Sequence, residues 1–315
     1  MQKKMKYCDL HCDALTVEGA PCVTKENLQK GDCLMQCFAA FVSARERRFS
    51  ACNRLIDGFY DLCAKQGYRP VTRAGELDWG AVNALLTVEE GGAVEGKIEK
   101  LEFLFRRGVR MMTLTWNYEN EIGYPAFFDY ENVAKGRASQ TVRNTAGGLK
   151  TFGFEAVERM FSLGMIPDVS HGSDLLVTDV AAVAKAAKKP FVASHSGAAS
   201  AFYHARNLTD EGIKAIADSG GVVGLDFCAD FLSNDVSEEG QRAAMLAHAK
   251  AIVNAGGEEV LAIGSDFDGI PQNAYQKSPA DVARLFIEFT KIFGFSAAEK
   301  FARKNFLRVL CAYDV

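Results

Sequence analysis

Eight short runs rich in Val, Ile, Leu, Met and Phe recur along this chain, separated by longer segments whose apolar residues fall at three- and four-residue spacing. The runs cover about 6–12, 33–41, 84–88, 109–115, 165–170, 190–194, 221–226 and 260–265. They lack strict polar alternation, which suits strands buried on both faces of a parallel sheet. Between them, Ile98, Leu101, Leu104 and Phe105, then Phe154, Val157, Met160 and Phe161, each draw one apolar stripe along a helix. Gly108 and Gly164 follow these stripes as stops, and Thr209 with Asp210 and Glu211 supplies a cap and an acidic first turn for another helix. Eight strands with helical crossovers close naturally into a (β/α)8 TIM barrel, and an open doubly wound sheet is the alternative. All 315 residues are read as one barrel domain, with 117–143 as a long loop and a lid candidate over its mouth.

Composition narrows the function classes. Apolar residues make up 48% and charged residues 24%, a globular balance. The net charge is −4 with no basic stripe, so nucleic acid is not an expected partner. No apolar run is long enough to span a bilayer, and the start, Met1-Gln2-Lys3-Lys4-Met5-Lys6, leads straight into the first strand with no leader pattern. Nine cysteines, an odd number at irregular spacing, point to a reducing compartment, and a cytoplasmic location is expected. Cys33 and Cys37 are weighed as a metal pair and read as core residues instead.

A barrel places its site at the carboxyl ends of the strands, and there the polar residues gather. The ends read Asp9-Leu10-His11-Cys12-Asp13, Glu89-Glu90-Gly91-Gly92, Asp168-Val169-Ser170-His171, Ser194-His195-Ser196 and Gly264-Ser265-Asp266-Phe267-Asp268-Gly269. His11 and Asp13, two apart, present imidazole and carboxylate on one face of an extended segment. His171 and His195 add neutral nitrogen ligands, and Glu90 adds a carboxylate able to bridge two cations; its neighbour Glu89 is expected to face the other way if the strand persists that far. Together His11, Asp13, Glu90, His171 and His195 form a candidate two-metal centre. Two cations about 3.5–4 Å apart would hold a water between them and make it a hydroxide nucleophile near neutral pH. Nitrogen and oxygen ligands without thiolate suit zinc, with manganese, cobalt and iron as alternatives. Asp266, at the eighth strand end, is the candidate acid for a leaving amine, with Asp226 and Asp268 as substitutes. Arg206 offers a planar fork to a carboxylate, though a surface or capping role is equally open on the residue alone.

With those segments in place, nearly the whole chain resembles the membrane dipeptidase (renal dipeptidase) family, peptidase family M19, of the amidohydrolase superfamily. Beyond the strand ends already given, Gly108-Val109-Arg110 through Leu114-Thr115 and Arg206-Asn207-Leu208-Thr209 carry the match. The resemblance implies a binuclear zinc dipeptidase in which His11 and Asp13 hold one metal, Glu90 bridges, and His171 and His195 hold the other. It makes Asp266 the proton shuttle and Arg206 a ligand for the substrate's carboxylate. It also implies dipeptide substrates, including those with a D-residue at the carboxyl-terminal position, and a homodimer. One departure stands out: relatives resembling the kidney enzyme have a histidine that holds the reacting carbonyl where this chain has Trp116. Asn117 or a residue of the following loop is then the candidate donor, and Trp116 is expected to reshape the substrate pocket. The secreted relatives' leader and lipid-anchoring tail are not read here, so no membrane partner is expected. Two rival readings are an amidohydrolase acting on a non-peptide amide or lactam, and a metal-binding barrel without catalysis.

Overall fold

The computed structural model describes residues 5–43 and 48–314. Among the described residues nine strands form in chain order: β1 (Tyr7–Asp9), β2 (Cys33–Phe41), β3 (Arg69–Val71), β4 (Asn83–Glu89), β5 (Met111–Thr113), β6 (Ile166–Asp168), β7 (Ala193–Ser196), β8 (Val223–Leu225) and β9 (Leu261–Ile263). Eight of them run parallel in the order β6-β5-β4-β2-β1-β9-β8-β7, and a bridge between Asp168 and Val192 joins the two ends. The result is the expected (β/α)8 barrel and not an open sheet. Its strands are buried on both faces, which explains their continuous apolar runs.

β3 was not expected. It pairs with Asn83–Leu85 of β4, along the edge that β5 takes over from Thr87 onward. Its sequence, Arg-Pro-Val, leaves two of three residues exposed and carries no apolar run to read. The helices follow their signals. Leu101 and Leu104 are buried on Ile98–Arg106, and Val157, Met160 and Phe161 on Thr151–Leu163, while Phe154 lies at the edge of its stripe and is exposed. Gly108 and Gly164 adopt left-handed φ of 98° and 89° at the predicted stops. The Thr209 side chain accepts from the Gly212 N–H, opening the helix Asp210–Asp218. Among the described residues, no helix is long and apolar enough to cross a membrane.

Two features set the barrel's inner geometry beneath the site. A Cβ on Gly224 or Gly264 would meet the Ser194 carbonyl oxygen at 2.0 or 1.7 Å, so only glycine lets β8 and the end of β9 approach β7 so closely. Buried aspartates then tie strand ends together. Asp9 accepts from the Ser265 N–H at 2.9 Å and its hydroxyl at 2.6 Å, and Asp168 accepts from Thr113, Ser170 and Ser194.

The loop after β7 is fixed from outside by His248, a buried residue of the helix Glu238–Gly256. His248 Nδ1 accepts from the Ala198 N–H at 3.0 Å, and Nε2–H donates to the Leu232 carbonyl at 3.1 Å. Only the neutral ring can do both. Burial pushes its pKa down to about 4. The unfolded chain therefore takes up a proton as pH falls through 6.5 while the folded chain does not until about 4, so stability is lost across that window and levels below it. At about 1.4 kcal/mol per tenfold change in proton affinity, the loss is on the order of 3 kcal/mol. Urea unfolding of the parent and His248→Gln between pH 7 and 4 should show a shallower decline in the variant; equal slopes would show that this histidine does not govern the acid limb.

Candidate metal centre

His11 is delivered by the end of β1, where its N–H and both Ser265 donors share the Asp9 carboxylate. A bridge between Cys12 and Phe267 carries the chain on to Asp13, whose N–H donates to the Phe267 carbonyl at 2.9 Å. His11 Nε2 then lies 3.7 Å from Asp13 Oδ2, 3.7 Å from Asp266 Oδ1 and 3.4 Å from Glu89 Oε2. The His-x-Asp pair thus converges, as its spacing predicts.

The carboxylate at the centre is Glu89 and not Glu90. β4 persists through Glu89, so the strand itself aims that side chain at the histidines: Oε1 lies 3.1 Å from His171 Nε2 and 3.7 Å from His195 Nε2. Glu90 leaves the strand with φ at 81° and turns away. Its oxygens accept from the Gly92 N–H, the Trp116 N–H and the Asn120 side-chain amide, at 2.7, 3.0 and 2.7 Å. Glu90 is therefore a buried staple for the turn after β4. The expectation put Glu90 on the inner face and Glu89 on the outer one; β4 ends at Glu89, so the strand's alternation turns Glu89 inward and Glu90 falls in the turn.

His171 and His195 meet with their Nε2 atoms 2.9 Å apart. Their protons can be assigned from their partners. Asn117 Oδ1, 2.7 Å from His171 Nδ1, can only accept, so the His171 proton sits on Nδ1. Ser194 gives its hydroxyl proton to Asp168, so its oxygen accepts from His195 Nδ1–H at 2.8 Å. Both Nε2 atoms therefore carry lone pairs, and these point at each other and at a carboxylate. Neutral imidazoles do not adopt that arrangement without a positive charge between them. His11 Nε2 and Asp13 Oδ1 add two more buried atoms without a hydrogen-bond partner. His11, Glu89 and His195 form one set of donor atoms within 4.8 Å of each other, and His11, Asp13 and Asp266 form a second. The donors fit divalent cations of nitrogen and oxygen preference.

Electrostatics agree. Burial, with Asp13 adding to it, pushes the Glu89 carboxyl up to about 7, and burial with Asp226 pushes Asp266 well above the usual range. Burial resists a charge on His11, but Glu89 and Asp13 outweigh it and hold its pKa high. Burial holds His171 and His195 well below the usual imidazole range, with further lowering by Arg206 and His11 on the first and by His11 on the second. His171 and Asp266 both sit in the left-handed region, at φ of 66° and 57°, a conformation that costs about 1 kcal/mol or more for a residue with a side chain.

The other candidates separate. Asp226 is buried, with Oδ1 accepting from the Cys228 N–H, and Asp268 holds the Cys22 and Val23 N–H groups in a loop. Asp266 alone of the three borders the cavity above the donor cluster, which has a volume of about 330 Å³. Arg206 is buried, with Nη2 donating to the His195 carbonyl at 3.3 Å and Nε without a partner. Trp116 walls the cavity, its ring 5.0 Å from Phe41 and 5.4 Å from Tyr130. Asn117 also borders the cavity, but its oxygen is committed to His171. From 117–143, Phe127, Tyr130, Val133, Ala134 and Gln140 line the same space. The nine cysteines are free, and Cys33 and Cys37 belong to neither donor set. Sequence reading missed the Asp168–Ser194 relay, although both residues stood in the strand-end motifs. It missed His204 as well, another residue bordering the cavity, for which no motif gave a signal.

The sequence matches the model of the membrane dipeptidase family, peptidase family M19, over residues 2–314. An uncharacterized protein of the pqqA 5' region in Klebsiella pneumoniae is 31% identical over 227 residues, 71% of this chain and 79% of that one. An uncharacterized dipeptidase of Schizosaccharomyces pombe is 32% identical over 193 residues, 61% of this chain and 43% of the relative, so the alignment spans less than half of that protein. A metallo peptidase from Rhodobacter sphaeroides, solved with a phosphinate mimic of the dipeptide L-Ala-D-Ala, has the same fold, with a TM-score of 0.84 at 20% identity over 98% of this chain and 99% of that one.

The two adjacent glutamates should behave oppositely. Glu89→Gln should lower the divalent metal retained per chain, measured by plasma mass spectrometry. Glu90→Gln should retain metal but unfold more easily, by about 1–3 kcal/mol, because buried donors lose an acceptor. Parental metal content in Glu89→Gln would contradict the assignment.

Proposed function

We infer the mechanism from one premise: this chain belongs to the membrane dipeptidase family, peptidase family M19, and is a metallopeptidase. We read it as a two-metal dipeptidase in which His11, Asp13, Glu89, His171, His195 and Asp266 would hold the cations. The observation that carries this is the pair of unprotonated His171 and His195 Nε2 atoms beside the Glu89 carboxylate. Divalent cations bound there, zinc by the character of the donors, would polarise the scissile carbonyl and supply a nucleophilic water at neutral pH.

The protein's own groups do the rest. Asn117 and Ser194 fix the tautomers of the two histidines, so no reorientation is needed when a cation binds. Asp266, bordering the cavity with Oδ1 3.7 Å from His11 Nε2, is placed to take a proton from the attacking water and pass it to the departing amine. Arg206 supplies positive charge for the substrate's free carboxylate. Phe41, Trp116 and Tyr130 form an aromatic wall to the cavity beside the reacting centre. We read 117–143 as a lid on the single barrel, since five of its side chains after Asn117 face the cavity. The L-Ala-D-Ala mimic bound by the R. sphaeroides protein makes dipeptides ending in a D-residue the first substrates to try.

Zinc-reconstituted protein is expected to hydrolyse members of an L-Ala-D-Ala type panel and to lose that activity on chelation. Asp266→Asn should lower kcat by about 10²–10⁴-fold, the range for removal of a general acid–base. Failure to cleave any dipeptide would falsify the substrate class. Trp116, which the family resemblance sets where members like the kidney enzyme have a histidine, favours a second reading, hydrolysis of a non-peptide amide or lactam. Trp116→His compared with the parent on both substrate types separates the two: a gain confined to dipeptides supports the first reading only if the parent already cleaves them.

A further inference from the structure

His204 borders the substrate cavity and belongs to neither set of metal donors. It is 1% exposed, and its ring is clamped between the edge of Phe127 at 5.7 Å and the face of Phe231 at 4.7 Å. Its Nδ1 accepts from the Arg206 N–H at 3.1 Å, which puts the proton of the neutral ring on Nε2. Burial, followed by the charges of Arg206 and Arg143, pushes its pKa down to about 4, so the ring is neutral at physiological pH. Nε2–H is buried and has no hydrogen-bond partner. A buried donor without an acceptor is uncommon and calls for a ligand.

A second orphan lies beside it. Arg206 Nε is also buried without a partner, and the Arg206 guanidinium packs 5.4 Å from the centre of the same Phe231 ring. Asp226 senses Arg206 more than any other charge, but its Oδ2 hydrogen-bonds to neither donor. The two donors, one neutral and one cationic, belong to side chains packed on the same Phe231 ring, and neither has an acceptor. The group that satisfies both is a planar anion with two oxygens.

We propose that His204 is a substrate-binding residue whose Nε2–H donates to the terminal carboxylate of the dipeptide, beside Arg206. The proposal rests on the dipeptidase reading and adds a neutral donor that selects for a free acid over its amide. The charge of Arg206 attracts the carboxylate, and the rigid His204 ring fixes which oxygen faces it. Because the ring stays uncharged, it adds direction without adding to the positive charge that also acts on His171 and His195.

Two substitutions divide the two nitrogens. His204→Asn keeps an acceptor at the Nδ1 position for the Arg206 N–H and removes the distal donor; His204→Gln keeps a donor at the Nε2 position. With zinc-loaded protein, His204→Asn should raise KM for L-Ala-D-Ala about tenfold or more, the effect of losing a hydrogen bond to a charged group, with kcat and metal content near parental. KM for the C-terminal amide of the same dipeptide should not change, and His204→Gln should stay near the parental KM. A parental KM in His204→Asn, an equal loss on acid and amide, or equal defects in both variants would overturn the proposal. A measurement on the parent guards against misfolding of the variants. In ¹⁵N-histidine-labelled protein, the His204 Nε2–H signal, assigned by its loss in His204→Gln, should move on binding a phosphinate dipeptide mimic and stay in place with the decarboxylated mimic. Movement with both ligands or with neither refutes it. A parent that cleaves no dipeptide removes the dipeptidase reading and this proposal together, whereas a cleaving parent with an indifferent His204 removes only this one.

Discussion

The Asp168 carboxylate is the point on which barrel and site both depend. Its two oxygens accept from the Thr113 hydroxyl on β5, the Ser170 N–H after β6, and the N–H and hydroxyl of Ser194 on β7. These contacts reinforce the seam where β6 meets the approach to β7, a seam held by a single backbone bridge. By taking the Ser194 proton, the same carboxylate obliges Ser194 to accept from His195 and leaves the distal imidazole nitrogen bare. Closure of the fold and the electronic state of a ligand are thus one hydrogen-bond network, and a buried network of this kind is favourable only when every member is satisfied.

The bare nitrogens make the centre unfavourable in isolation. Three imidazoles and three carboxylates, from Asp13, Glu89 and Asp266, are buried within a few ångströms of one another, and the Glu89 and Asp266 carboxyls are driven toward the neutral form. A cation removes that conflict in one step, so the free energy that folding spends on assembling the cluster returns as affinity for metal. The left-handed turns at His171 and Asp266 belong to the same account, since the strand ends must bend sharply to bring these side chains inward.

Much of this was legible in the sequence because it is periodic or terminal. Continuous apolar runs marked the eight barrel strands, glycines and a threonine marked helix ends, and polar residues at strand ends marked the mouth of the barrel. What could not be read was set by tertiary register. Glu89 and Glu90 are indistinguishable by type, and the choice between them rests on whether β4 runs one residue further. β3 has too little apolar surface to announce itself. The proton assignment of His195 needs Asp168 and Ser194 to meet across 26 residues of sequence. His204 lies in no motif, and only its unpartnered nitrogen in a folded cavity draws attention to it.

Arg143 gives the rim of the cavity a mechanical linkage. At the end of the 117–143 segment its guanidinium forks onto Asp174, and it also donates to the carbonyls of His204 and Asn207 at 3.1 and 2.8 Å. The roof of the pocket and the loop carrying His204 and Arg206 are thereby pinned to one planar group at the start of the helix Asp174–Ala187. Grafting a foreign roof onto this scaffold without a matching arginine would unmoor the neighbouring loop as well. The two parts therefore share one anchor, and a change in either is transmitted to the other.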